Sequence, residues 1–269
     1  MNNINGEQIN EDRIRTDGDF TAVKLLDKYR EAVDDLFKKV RDTQTENIIK
    51  AGRLIAESIE NGGAIFLTEI CHHIEYDLLY RGGGPAFYKR FSYNYNIENN
   101  AYPRDNSDIQ DASERDARYA RFALENSNVR PGDVMFVSSV SGRTPRVVNL
   151  AYEAVNYGVN VIALTSMEYA QKVDPVHKSG KKLYEIATLT LDNCAPAAEA
   201  MIEVEGLEPR FAAASGIASD YIMWSVTSVA VETLMSHGKV PGIYKSANYP
   251  GGPDFNNTIV DPNYKKFGY

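Results

Sequence analysis

Residues 133–166 read DVMFVSSVSGRTPRVVNLAYEAVNYGVNVIALTS. Val134 to Val137 is a short, continuous apolar run behind the turn signal Pro131-Gly132-Asp133, the pattern of a strand buried on both faces. Pro145 to Tyr157 has helical spacing. Proline suits the first helical turn, because the N–H it lacks would have no intrahelical partner there. Val159 to Leu164 is a second apolar run, so the stretch reads as strand, loop, helix, strand: one parallel crossover unit.

The alternation continues on both sides. Ala64 to Leu67 (AIFL) predicts another strand, followed by a helix from His73 through Tyr80 and a further helix over 111–126. Ala187 to Leu191 predicts a fourth strand, and Ile217 to Met235 a closing helix with a long apolar face. Continuous apolar strands alternating with helices imply a parallel sheet covered on both faces. Such sheets bind ligands beyond the carboxyl ends of their strands, which directs attention to the loops at 68–73, 138–144, 165–177 and 192–196.

Ahead of the first strand, Val23, Leu25, Leu26, Tyr29, Val33, Leu36, Phe37 and Val40, then Ile48, Ile49, Leu54, Ile55 and Ile59, recur at helical spacing up to a stop at Asn61-Gly62-Gly63. This predicts one long or broken amphipathic helix, of a length that suits packing across a dimer. Residues 1–18 have almost no apolar content and read as a disordered lead-in. Residues 19–257 form a single domain with this helical extension, and 258–269 a C-terminal tail. An insertion at 86–108, containing FYKRFSYNYNIENNAYPRDNSD, is rich in Tyr and Asn. It reads either as a surface loop or edge strand, or as a lid offering aromatic faces and hydroxyls to a polyol.

Composition narrows the partners. At 43% hydrophobic and 25% charged, the 269 residues suffice for a folded core and exclude a wholly disordered chain. Lys plus Arg total 29 against 37 Asp plus Glu, a net charge of -8. That balance argues against nucleic acid or an anionic membrane as the main partner. It leaves room for one local site for a small anion. No run approaches the roughly 20 apolar residues of a membrane span, and the polar N-terminus has no apolar signal core. Two cysteines, Cys71 and Cys194, are too few for a disulfide scaffold. The expectation is a soluble cytoplasmic protein with free thiols.

The loop Ser138-Ser139-Val140-Ser141-Gly142-Arg143-Thr144-Pro145 carries the chemistry. Hydroxyls at Ser139, Ser141 and Thr144 can surround an anion, and Gly142 lets the backbone come close. The following helix end adds N–H donors and the positive pole of its dipole. Arg143 either adds charge or points to solvent. The bland alternative is a serine-rich capping turn.

In this context the 133–166 segment resembles the central unit of the sugar isomerase (SIS) domain family, with its Ser-x-Ser-Gly-x-Thr loop and a strand ending in Leu-Thr-Ser. Further segments resemble a branch of that family close to phosphoheptose isomerase. They are ENIIKAGRLIAESIENGG at 46–63, LLYRGGGP at 78–85, SGKKLYEIA at 179–187, LDNCAPAAEAMIEVEGL at 191–207 and YKSANYPGGPDFNN at 244–257. The resemblance implies an α/β, flavodoxin-like three-layer sandwich with a five-stranded parallel sheet. It further implies a phosphorylated-sugar ligand, and a homodimer or homotetramer with sites at subunit interfaces. Ser139, Ser141, Thr144 and Ser166 are the implied anion contacts. The implied reaction is aldose–ketose isomerisation through an enediol, by acid/base proton transfer and without a cofactor.

The sequence also departs from that pattern. Where relatives have Gly-x-Gly-x-Ser after the first strand, this chain has Leu67-Thr68-Glu69-Ile70-Cys71. Without the glycines the backbone cannot hug a ligand as a glycine loop does; either the Glu69 carboxylate enters the cleft or the loop is remodelled. A sulfonated or carboxylated sugar is therefore an alternative substrate. On the next predicted helix His73 and Asp77 share one face, and His72 and Glu75 another. The LLYRGGG landmark puts the family's base at Asp77, with Glu75 as the alternative. A metal reading of Cys71-His72-His73-x-Glu75 finds no second ligand pattern, and no metal is expected. The last helix lacks the family's histidine, and His237 comes only at its end, so His177 becomes the second acid/base candidate, with His72 beside it. Asn193 and Lys245 are candidates for hydroxyl and anion contact. Cys194 reads as packing. A non-catalytic sugar-phosphate sensor is the competing class, and lyase or etherase chemistry a third. The N-terminal residues show no basic helix-turn-helix pattern, which favours an enzyme.

Overall fold

A computed structural model describes residues 24–96, 98, 102 and 112–269. The lead-in at 1–18 and much of the Tyr-rich insertion lie outside the described residues. The central sheet has five parallel strands: β1 (Ile65–Leu67), β2 (Tyr88–Arg90), β3 (Val134–Ser138), β4 (Asn160–Thr165) and β5 (Leu189–Asp192), in the order β2-β1-β3-β4-β5. This is the flavodoxin-like order, and its direction reverses between β1 and β3.

The period of two along each strand sorts side chains into two cores. Ile65 and Leu67 of β1, Val134 and Phe136 of β3, and Ile162 and Leu164 of β4 face one layer, with α1 (Lys24–Glu60) and α5 (Ser215–Ser236). Phe66, Met135, Val137, Val161 and Ala163 face the other, with α2 (Ala112–Glu125) and α3 (Pro145–Asn156). Burial on both faces explains why these strands read as unbroken apolar runs. In α1 the buried positions begin at Leu36; before it, Leu25, Leu26 and Tyr29 are exposed. No helix among the described residues is long and apolar enough to cross a membrane.

The structure departs from the sequence expectation after β1, after β5 and in the C-terminal tail. The helix expected from His73 through Tyr80 shrinks to one 3-10 turn, Ile74–Asp77, because Cys71, His72 and His73 take left-handed φ values of 33°, 60° and 75°. The shared helix faces proposed for His73/Asp77 and His72/Glu75 therefore do not exist. The start of the insertion takes the edge-strand alternative among its sequence readings: Tyr88 is buried, and its hydroxyl lies 2.9 Å from Thr227 Oγ1. After β5 the chain folds a small antiparallel hairpin, β6 (Ala200–Ile202) and β7 (Phe211–Ala213), before entering α5. Within the expected tail, Asp261–Phe267 is helical and Val260 is buried.

Candidate functional site

A cleft of 570 Å³ opens where the strand order reverses, over the carboxyl ends of β1 and β3. Its walls come from the loop after β1 (Thr68, Glu69, Cys71, His72), the segment after β2 (Arg90 to Asn94), the serine loop with the start of α3 (Ser138 to Ser141, Thr144, Arg146), and Tyr169 and Glu199. An open parallel sheet places a ligand at such a switch point.

The serine loop is built from the strands that flank it. The Thr165 hydroxyl, fully buried at the end of β4, donates to the carbonyls of Ser139 (2.7 Å) and Val140 (3.1 Å). Gly142 turns at φ 65°, its N–H donating to Ser139 O and its carbonyl accepting from Leu183 N. The resulting curve brings Ser139 Oγ within 3.1 Å of Thr144 Oγ1. Thr144 is the N-cap of α3, yet its side chain makes no capping bond to the helix. Ser139, Ser141 and Thr144, all expected as anion contacts, thus line the cleft together beside the positive end of a twelve-residue helix.

The cleft's cations differ from the one expected. Arg143 is not among the lining residues; Arg146, one helical turn on, is. Arg146 Nη2 donates to Tyr93 O (2.6 Å), and its guanidinium lies 4.9 Å from the Tyr93 ring centroid. It ties the serine-loop helix to the start of the insertion, whose residues 91–94 form a wall of the cleft. Arg90 is the second cation of the lining.

In the loop after β1 both alternatives meet: Glu69 reaches the cleft, and the backbone is remodelled by the left-handed residues 71–73. Glu69 and His72 line the cleft, and Glu69 keeps 64% of its side-chain surface exposed. Cys71 Sγ sits 3.3 Å from both Ser138 Oγ and Ser219 Oγ. Burial pushes its thiol pKa up; hydrogen bonds from Ser138 and Ser219 oppose the rise and the Glu199 charge adds to it.

Several expected site residues lie outside this cleft. Glu75 is fully buried and accepts the Ile70 N–H at Oε2 (2.9 Å), so it anchors the left-handed turn beside it. Asp77 is ion-paired with Arg81 on the surface. His177 is buried: Nδ1 accepts the Ser179 N–H (3.2 Å), so Nε2 carries the proton donated to Asn149 Oδ1 (2.7 Å). Burial foremost, then the Lys178 charge, lowers its pKa, and it pins the 177–181 loop as a neutral ring. Ser166 caps α4 (Met167–Lys172), accepting from Tyr169 N and donating to Ala195 O. Asn193 is buried, closing a local turn with Ala195 N and bonding Ser219. Lys245 belongs to a separate surface hollow with Gly82, Gly83, Tyr244, Ser246, Asn248 and Tyr249. Cys194 is buried against Thr43, and burial and Asp192 push its pKa up to about 11, as suits packing. Among the described residues no group of three or more His, Cys, Asp or Glu is gathered to hold a metal.

Sequence reasoning missed Thr68, Arg90, Arg146, Tyr169 and Glu199 as lining residues. Arg146 carries a usable signal, since it is the second residue of a helix whose N-terminus faces the site. The fold and cleft define a doubly wound α/β protein with a serine-rich loop and a helix N-terminus at its switch point. The SIS domain family model matches residues 28–166, more than half of the chain, and the chain belongs to that family. A UPF0309 protein of Streptomyces avermitilis is 31% identical over 239 residues, covering 88% of this chain and 94% of the relative. A UPF0309 protein of Shouchella clausii is 29% identical over 249 residues, covering 92% and 100%. Among solved structures, the phosphoheptose isomerase of Neisseria gonorrhoeae is similar with a TM-score of 0.47 and 13% identity, over 79% of this chain and 97% of that one.

Proposed function

We propose that this protein is an aldose–ketose isomerase of a sugar phosphate, working by proton transfer through an enediol. The observation that carries the reading is the convergence of the Ser139, Ser141 and Thr144 side chains with the N-terminus of α3 in one cleft that also holds acid/base groups. A phosphate offers acceptor oxygens to hydroxyl and N–H donors and is favoured by the dipole at that helix end. Arg146 adds a cation beside it. Glu69, Glu199 and His72 supply the carboxylate and imidazole that an enediol mechanism uses on carbon and oxygen protons. Asp77 is not among the lining residues of this cleft and is ion-paired with Arg81, so the carbon-proton step in this reading does not use it; a homodimer or homotetramer remains part of the proposal.

A titration by thermal shift tests the assignment. Phosphorylated sugars are expected to raise the melting temperature more than sulfonated or carboxylated counterparts. Ser141→Ala should weaken sugar-phosphate binding about 10- to 100-fold, the usual range for one hydrogen bond to a charged group, and leave the unliganded melting temperature in place. An unaltered affinity in Ser141→Ala would remove the loop from the site. A preference for the sulfonated or carboxylated series would replace the phosphate.

A further inference from the structure

Glu199 stands out among the carboxylates of the cleft for how firmly it is placed. It follows Ala198 at the entrance to the β6–β7 hairpin, and both residues adopt left-handed backbone, φ 63° and 73°. This region costs a non-glycine residue roughly 1–2 kcal/mol, and it persists only where surrounding contacts over-determine it. Those contacts are present. Glu199 N–H donates to Pro196 O (2.9 Å), and Glu199 O accepts from Ala214 N (3.0 Å). Its side-chain Oε2 accepts from the hydroxyl of Ser215 (2.7 Å), a buried residue that opens α5. One carboxylate oxygen is thus anchored, and the group is part of the cleft lining. It shares the cleft lining with Cys71 and with Ser138 at the end of β3, so its carboxylate belongs to the same cleft that the sugar carbons would enter. The other carboxylate of the lining, Glu69, is loosely held at the exposed rim with His73 Nε2 4.0 Å away, and outside the lining Glu75 is committed to Ile70 N–H and Asp77 to Arg81.

We propose that Glu199 is the catalytic base that moves the carbon-bound proton, an assignment that rests on the isomerase reading above. Its carboxylate takes the proton from C2 of the open-chain aldose. The C–H electron pair becomes the C1–C2 double bond as O1 gains a proton, giving the enediol. The carboxyl then returns its proton to C1 while O2 releases its hydroxyl proton and becomes the ketose carbonyl. One hydrogen passes from C2 to C1 and one from O2 to O1, so no oxidant is needed. His72, also in the lining, is the group placed to carry the oxygen-bound proton.

The test follows deuterium entering C1 and C2 of a sugar phosphate in heavy water by NMR, with affinity read separately by thermal shift. Glu199→Gln, which preserves the acceptor for Ser215, should bind within about threefold of the wild type yet exchange 100- to 10,000-fold more slowly, the range of a lost general base. Glu199→Asp should recover part of the rate. Near-normal exchange in Glu199→Gln, with binding still lost in Ser141→Ala, overturns the assignment and leaves the isomerase reading standing. Binding without exchange in the wild type overturns the isomerase reading and this role with it. Should Glu199→Gln fail to fold, Ser215→Ala carries the test: kcat should fall and its acidic pH limb move with KM unchanged, and an unmoved pH profile counts against the proposal.

Discussion

Gly142→Val is expected to abolish measurable sugar-phosphate binding while the domain remains folded. Gly142 turns the serine loop at φ 65°, a conformation that a β-branched residue adopts only under strain. A Cβ placed there would also stand 3.2 Å from Thr165 Oγ1 and 3.4 Å from the Ala170 Cβ. The Thr165 hydroxyl holds the Ser139 and Val140 carbonyls, so displacing it loosens the two residues that bring Ser139 to Thr144. The expected loss is at least about 100-fold in affinity, equivalent to about 2.8 kcal/mol. Neither core cluster includes Gly142, and circular dichroism should show native secondary structure. Wild-type affinity in this variant would show that the loop's curvature does not create the site.

Gly52→Leu should destabilise the fold strongly. Gly52 lies where α1 crosses α5, and a Cβ there would fall 2.5 Å from the Val229 Cβ and 2.9 Å from the Val226 carbonyl oxygen. Backbone cannot yield as a side-chain tip does, so α1 would have to lift from α5. Replacing glycine by alanine in a helix gains about 1 kcal/mol of propensity, which is smaller than the disruption expected from forcing the two helices apart. For leucine, overpacking of a closed interior costs about 3 kcal/mol or more, which for a domain of this size is a fall of roughly 6–12 °C in melting temperature. Alanine should show a smaller fall in the same direction. An unchanged melting temperature for leucine would mean that the α1–α5 contact contributes little to holding this layer on the sheet.

The parts of the fold that were legible are those where one physical cause dominates. Val134 to Val137 and Val159 to Leu164 are covered on both faces, so their side chains are apolar without interruption. The serine loop was legible because a strand end, a glycine, hydroxyls and a helix-starting proline must occur in that order to form it. What the sequence leaves open depends on tertiary contacts. Tyr88–Arg90 looks half polar and reads equally as loop or edge strand; pairing with β1 and the contact of the Tyr88 hydroxyl with Thr227 decide it. The helix expected after His73 had the right spacing, yet it competes with a turn held by the buried Glu75 carboxylate on Ile70 N–H. That same carboxylate looked like a base because the sequence does not show whether an acid is solvated, paired or sealed. His177 is the equivalent case among histidines: Asn149 and Ser179, on either side of the ring, turn a candidate acid/base into a structural cross-link. Glu199 shows the reverse. Nothing in its spacing marked it, because the hairpin and α5 that place it meet only in the fold.

The most direct test of the central claim is proton exchange at carbon. The protein is incubated with a panel of aldose and ketose phosphates in heavy water, and deuterium at C1 and C2 is followed by NMR. The account predicts incorporation at those carbons together with aldose–ketose interconversion for at least one sugar phosphate that also raises the melting temperature. Sugar phosphates that stabilise the protein but acquire no deuterium would contradict it and would identify the cleft as a binding site without isomerase chemistry.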